Sequence, residues 1–174
     1  MSLRKQIIKR PVITTVEVLV KPVSSKNDMF FTGFVHRPYP PIYLELSRNA
    51  QFDSATVIRG TEGGIIPSLR QTGKVHFYHG AGEQDDYYDI TPEDLGIVQS
   101  SRAVDIPEEI TRKNTKDKIE SKVDAVDIAR ETIKSGISAL SGNDGAMLSC
   151  IQLGAAIILQ RATGNDLGNC SKEV

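Results

Sequence analysis

The sequence has little net charge, few cysteines and no long apolar run. Across 174 residues the net charge is −1, so composition alone gives no bulk attraction to nucleic acid and leaves only a local basic patch open. Cys150 and Cys170 lack CxxC spacing and have no histidine nearby, which leaves no zinc or redox motif. The longest strongly apolar run, residues 155–159, is far shorter than the roughly 20 residues of a membrane span, and no signal-peptide pattern opens the chain. We therefore expect a soluble, cytoplasmic protein without a membrane partner.

The first clear structural pattern is a strand, a helix and a second strand. Residues 29–35 form an apolar and aromatic run that Pro38 and the pair Pro40-Pro41 terminate. Pro41 suits the first turn of a helix, and an apolar stripe continues to Ala50. Residues 55–58 are a short β-branched run typical of a buried strand. This order favours a parallel pair of strands joined by a right-handed crossover.

The rest of the chain predicts a hairpin followed by helices. Residues 75–78 and 87–90 form short strands joined by a close connection, and Thr91 caps a helical turn that starts at Pro92. Residues 98–122 are polar and predict a surface loop with a helical turn around residues 107–111. Residues 123–140 predict an amphipathic helix, residues 146–162 a helix within a core, and residues 165–174 a loose tail. The buried side of the amphipathic helix is expected to comprise Val123, Val126, Ile128, Ala129, Ile133 and Ile137.

A glycine-rich stretch directly after the second strand indicates the candidate site. It comprises Arg59, Gly60, Thr61, Glu62, Gly63 and Gly64. In open α/β sheets ligands bind outside the carboxyl ends of the strands, and glycines there let the backbone approach a ligand. Arginine and unobstructed backbone N–H groups would together favour an anion. A plain tight turn, with Arg59 paired to an acid such as Glu62, needs the same residues and stays open.

The order of these elements, with the residues that end them, resembles the C-terminal half of the large α/β domain of anthranilate phosphoribosyltransferase-like proteins, which form glycosyltransferase family 3. The most specific matches are Arg59-Gly60-Thr61-Glu62-Gly63 and Thr91-Pro92-Glu93-Asp94-Leu95-Gly96. They are most similar to a divergent, YbiB-like branch whose members are reported to bind nucleic acid. The resemblance implies a mixed, mostly parallel sheet flanked by helices. It also implies a helix over residues 12–20, where the β-branched residues alone would predict a strand.

The resemblance further implies a division of the chain and an incomplete enzyme. Residues 1–9 would be a leader or linker, residues 10–164 a partial phosphoribosyltransferase-like domain and residues 165–174 a tail. The family's glycine-rich loop for phosphoribosyl pyrophosphate and its dimerising helical domain would precede this chain. Oligomerisation would then depend on those regions.

Two functional positions of the family correspond to residues of this sequence. The arginine on the substrate side of the family's site corresponds to Arg10, which would face a carboxylate, although an ordinary solvated arginine explains it equally well. The Asp-Glu pair that helps to hold magnesium corresponds to the Gly64-Ile65-Ile66 stretch, which has no oxygen ligand. We therefore expect no cofactor and no catalysis in this part, with magnesium bound only by a complete protein.

Two functions follow as alternatives. The first is transfer of a phosphoribosyl or related glycosyl group by the complete protein, with phosphoribosyl pyrophosphate as ligand. The second is an inactive member whose cleft binds nucleic acid or another polyanion. A basic rim for the second would comprise Lys5, Lys9, Arg10, Lys21, Lys26, Arg37 and Arg59, unless these are ordinary surface charges.

Overall fold

A computed structural model describes residues 16–61, 64–100, 104 and 125–174. A four-stranded sheet has the spatial order β1-β2-β3-β4. Its strands are β1 (Met29–Phe34), β2 (Ser54–Arg59), β3 (Gly73–Tyr78) and β4 (Asp86–Ile90). The helices are α1 (Tyr39–Asn49), α2 (Ala125–Leu140), α3 (Ala146–Thr163) and α4 (Leu167–Glu173), with short 3-10 helices at Glu17–Leu19 and Pro92–Leu95.

The predicted strand–helix–strand unit is present. β1 and β2 pair in parallel, with Met29 opposite Ser54 and Phe34 opposite Arg59. α1 connects them, and its buried side chains Leu44 and Ser47 face the same core as the strands. The prediction that these two strands are neighbours in one sheet is therefore confirmed.

The sheet is not mostly parallel, as the resemblance had implied. β2 pairs antiparallel with β3, with Ala55 opposite Tyr78 and Ile58 opposite Val75, and the sheet as a whole is mostly antiparallel. The connection between β2 and β3 spans residues 60–72 and contains no α-helix in its described part. A chain that returns without a helical crossover pairs antiparallel with the strand that it has just left. The general α/β class is confirmed, whereas the expectation of a mostly parallel sheet is wrong.

The described residues form two compact units, one within Met1–Ile65 and Lys74–Tyr88 and the other within Ile66–Gly73 and Asp89–Val174. The core of the first unit surrounds Tyr78, which is 1% exposed. The Tyr78 hydroxyl donates to the Phe52 carbonyl at 3.1 Å and lies 3.1 Å from the Ser47 hydroxyl, so the buried oxygen is hydrogen-bonded. Burial raises the pKa of Tyr78 and keeps the phenol neutral. The other core side chains are Phe30, Phe34, Leu44, Phe52, Ala55 and Val57.

The Arg48 side chain joins α1 to the turn between β3 and β4 through hydrogen bonds. Its Nη2 atom donates to Asp85 Oδ1 at 2.5 Å and to the Glu83 carbonyl at 2.9 Å, and its Nε atom donates to the Ala81 carbonyl at 3.1 Å. The guanidinium also lies over the Tyr78 ring, 4.2 Å from its centroid. These contacts hold the hairpin turn against the helix. Asp85 is therefore neutralised within the first unit.

In the second unit, the burial of the α2 side chains differs from the prediction. α2 forms as predicted, but Val126, Ile133 and Ile137 are exposed, whereas they were expected on its buried side; Ala129 is exposed as well. Ala139 is the buried side chain of α2 in the described part, and those of intermediate exposure are Asp127, Ile128, Glu131 and Ser135. Val123 lies outside the described residues. The spacing of apolar residues predicts a helix but not which neighbour covers its stripe.

Smaller differences concern three predicted segments. Thr91 makes no capping hydrogen bond from its side chain to the 3-10 helix, and its hydroxyl lies 3.2 Å from that of Thr72 instead. Residues 167–173 of the expected loose tail form α4, which Asp166 caps, and Cys170 is fully buried. The turn predicted at 107–111 and residues 12–15 of the predicted N-terminal helix lie outside the described residues, and Glu17–Leu19 is helical.

One helix in the described part of the chain, α3, is long and apolar enough to cross a membrane by length and composition. A core helix of a soluble protein meets the same criterion, so this feature does not assign α3 to a membrane.

Burial raises the pKa of Cys150 on α3, so its thiol stays protonated, as is typical of a packing residue.

Candidate anion-binding site

Arg59 ends β2, at the carboxyl edge of the parallel strand pair. Its position in the register is opposite Phe34, the last residue of β1, and its side chain is exposed. Of the other predicted site residues, Gly60, Thr61 and Gly64 are described, whereas Arg10, Glu62 and Gly63 lie outside the described residues. The alternative that Arg59 pairs with Glu62 therefore stays a hypothesis.

The glycines of the loop allow its backbone to pack closely. The carbonyl oxygen of Gly64 lies directly against the α-carbons of Gly33 and Gly60, where a Cβ atom on either glycine would overlap it. Neither Gly33 nor Gly60 has a positive φ angle, so a left-handed conformation is not what requires glycine at these two positions. The reason for Gly33 and Gly60 is steric, since the loop folds back over the ends of β1 and β2.

Two of the backbone N–H groups at this edge are used within the protein. Gly60 donates to the Phe34 carbonyl at 3.1 Å, and Gly64 donates to the Thr61 carbonyl at 3.0 Å. The N-terminus of α1 adds no free donor, because Tyr39 donates to the His36 carbonyl at 3.1 Å and Pro38, Pro40 and Pro41 have no N–H group. These groups are not available to an anion, whereas the arginine side chains at this edge are exposed.

Two arginines supply positive charge at this edge. Arg37 follows the end of β1 by three residues, and Arg59 ends β2; both side chains are exposed. Within the described ranges, neither guanidinium takes part in a salt bridge or a side-chain hydrogen bond. Their donors are thus available to a ligand, and a guanidinium can hold a phosphate or carboxylate with two hydrogen bonds.

A row of aromatic and cationic side chains continues from Arg59 across the sheet. Lys74 precedes Val75, the partner of Ile58, so Lys74 and Arg59 are the next opposing positions of β3 and β2. The Lys74 Nζ atom lies 4.2 Å from the centroid of the Tyr87 ring. The His76 ring lies between those of Phe34 and Tyr87, with centroid distances of 5.5 and 5.6 Å. We call Arg59, Lys74, His76 and Tyr87 the cationic–aromatic row.

Sequence reasoning found Arg59 but missed Lys74, His76 and Tyr87. The predicted hairpin indicates part of this row, since Lys74 and His76 are two positions apart and therefore share a face of β3. Their approach to Arg59 and Tyr87 depends on the strand register. The composition of single strands does not determine that register.

The residues at positions 65 and 66 do not fit a magnesium ion. Both are isoleucines with exposed hydrocarbon side chains, which offer no oxygen ligand at the positions that the resemblance matches to an Asp-Glu pair. Among the described residues there is also no group of three or more histidine, cysteine, aspartate or glutamate side chains that could hold a metal. The charged groups at this edge are those of arginine and lysine, which are side chains that can bind an anion.

A cavity of about 380 Å³ lies in the second unit. Its walls come from α2, from the loop that ends at Gly145 and from the first turn of α3. Lys134 lies on the wall but pairs with Glu131 at 3.2 Å. None of the predicted site residues lines this cavity.

Comparison with known proteins gives no family assignment: no family model matches the chain, and no curated protein is similar to it.

Proposed function

We propose that this chain is part of a glycosyltransferase family 3, anthranilate phosphoribosyltransferase-like protein, and that the carboxyl edge of β1 and β2 binds an anionic ligand. The observation that supports this most is the exposed guanidinium of Arg59 at the end of β2, without a partner among the described residues. Arg37 at the end of β1 adds a second such charge. The Arg59-Gly60-Thr61-Glu62-Gly63 motif supplies the resemblance to the family.

In this proposal the ligand of the complete protein is phosphoribosyl pyrophosphate, and the reaction is transfer of a phosphoribosyl or related glycosyl group. Arg59 would neutralise one phosphate, because an arginine fork matches two phosphate oxygens. Transfer also requires stabilisation of the departing pyrophosphate. Ile65 and Ile66 cannot give that stabilisation through a metal, so transfer would need the upstream motifs of the family.

A second candidate is an inactive family member that binds nucleic acid or another polyanion at the same edge. Two features favour it: the positive groups are on long side chains, and Lys74 lies next to Arg59 across the strands. Repeated phosphates suit several separated cations better than one backbone cradle.

Substitution of Arg59 by alanine tests the site. We expect the dissociation constant for phosphoribosyl pyrophosphate, for single-stranded DNA or for both to rise roughly 10- to 150-fold, as the loss of a charged hydrogen bond of about 1.5–3 kcal/mol requires. The measurement is calorimetry or fluorescence anisotropy on the 174-residue protein. Which ligand responds decides between the two candidates.

Arg70→Ala is the matched control, because Arg70 is also exposed but does not belong to the β1–β2 edge. It should change neither affinity by more than about twofold. If Arg59→Ala changes both affinities as little as Arg70→Ala does, the proposed site is wrong.

A further inference from the structure

We infer that the edge at Arg59 serves the second candidate function, in which the bound anion carries a planar ring, and that this ring stacks on Tyr87. The ligand class is a phosphate joined to a nucleobase, either a free nucleotide or a single-stranded nucleic acid. This inference rests on the proposed anion site. It adds the specificity of that site for ligands with a base.

Tyr87 is an accessible aromatic ring supported from the protein side. Its side chain is 56% exposed although it contacts both Lys74 and His76. His76 in turn packs against Phe34, which is buried in the core. The ring is therefore held in place while most of its surface stays open, which is what a stacking platform requires.

The charges around the row orient the ligand. Asp85 is neutralised by Arg48, but Asp86 adjoins Tyr87 and accepts a hydrogen bond from the Tyr87 N–H at 2.7 Å. The Asp86 carboxylate disfavours a phosphate at Tyr87 itself. The phosphate is thus expected at Arg59 and the base at Tyr87.

The spacing of the row fits this arrangement. Arg59 lies on β2 and Tyr87 on β4, so their backbones are at least two strand intervals, about 10 Å, apart across the sheet. Both side chains are long enough to shorten this gap to the distance between a base and a phosphate of the same or the next nucleotide. Lys74, between them, adds a cation along the path.

Phosphoribosyl pyrophosphate has no aromatic ring, so it separates the stacking site from the anion site. We expect Tyr87→Ala to weaken binding of a short oligothymidylate about tenfold, and to leave phosphoribosyl pyrophosphate and an abasic oligonucleotide of equal length within about twofold. Tyr87→Phe keeps the ring and should retain oligothymidylate binding. Tyr87→Leu keeps the bulk without the ring and should behave as Tyr87→Ala does, and unchanged binding of phosphoribosyl pyrophosphate and of the abasic oligonucleotide shows that both variants are folded.

His79→Ala is the matched control, since His79 is an exposed ring that contacts Phe77 and lies outside the row. Competition by adenosine monophosphate distinguishes a free nucleotide from a nucleic acid, and either result supports the inference if Tyr87→Ala abolishes the preference for a base. Equal losses for abasic and base-bearing oligonucleotides would overturn the inference and leave the anion site intact. No loss with Arg59→Ala would overturn the anion site and, with it, this inference.

Discussion

At the scale of single residues, glycine has a steric role at the edge of the sheet. The Gly64 carbonyl occupies the space beside Gly33 and Gly60 that a side chain would need. At the Gly60-Gly64 loop the sequence fits a plain turn as well as a ligand site, and its spacing alone favours the turn. It gives no reason for Gly33 in the middle of a strand, because the contact joins residues 31 positions apart. Only the folded chain shows that Gly33 and the loop form one packing unit.

We expect Gly33→Ala and Gly60→Ala each to lower the free energy of unfolding by about 1–3 kcal/mol, because a Cβ atom at either position must displace the backbone of Gly64. Urea denaturation followed by circular dichroism measures this. Gly154→Ala in α3 is the control, since a Cβ atom there meets no neighbouring atom within 4 Å and alanine favours the helix. If alanine at positions 33 and 60 lowers the free energy of unfolding no more than alanine at position 154 does, the loop moves away from the added Cβ atom without a cost.

At the scale of elements, α2 shows what periodicity can and cannot predict. Its apolar residues recur at intervals of three and four, and the helix forms where they predict it. The stripe nevertheless faces outward, with Val126, Ile133, Ile137 and Leu140 between 60% and 78% exposed. α3, which is apolar nearly all round, buries Leu153 and Ile157 almost completely. The partner of a stripe depends on chain topology, which local spacing does not specify.

The exposure of the stripe leads to a contrast between two substitutions. Ile133→Ser on α2 should change the free energy of unfolding by less than about 0.5 kcal/mol, as is usual for an exposed position, whereas Leu153→Ala on α3 should cost about 2–5 kcal/mol. Thermal and urea unfolding of both variants provide the measurement. A cost for Ile133→Ser close to that for Leu153→Ala would show that the stripe is covered in solution.

At the scale of the molecule, the local parts of the fold could be predicted, and the long-range pairings could not. The unit β1-α1-β2 follows from its prolines and its β-branched run, and the hairpin of β3 and β4 follows from its short connection. The direction of β3 against β2 depends on the 13-residue connection of residues 60–72, where no sequence pattern specified a crossover. The same register brings Lys74 and Tyr87 towards Arg59. The candidate site was therefore only half predictable.

The 174-residue chain should bind its anion without magnesium and should not by itself transfer a phosphoribosyl group. Magnesium requires oxygen ligands, and the positions that the resemblance matches to an Asp-Glu pair hold Ile65 and Ile66. We expect the dissociation constant for phosphoribosyl pyrophosphate to differ by less than about twofold between excess EDTA and excess magnesium at matched ionic strength. Calorimetric titration of the 174-residue protein measures this.

A double variant tests whether carboxylates at positions 65 and 66 make ligand binding depend on magnesium. Ile65→Asp with Ile66→Glu adds two carboxylates at exposed positions, so it should fold and should make ligand binding depend on magnesium if the edge has the family's geometry. Without magnesium the same variant should bind more weakly than the parent, because two added negative charges repel the ligand. Magnesium-dependent binding by the parent that Glu62→Gln abolishes would contradict the expectation. One carboxylate of the glycine-rich loop would then suffice to hold the metal, and the isoleucines would not have removed the family's site.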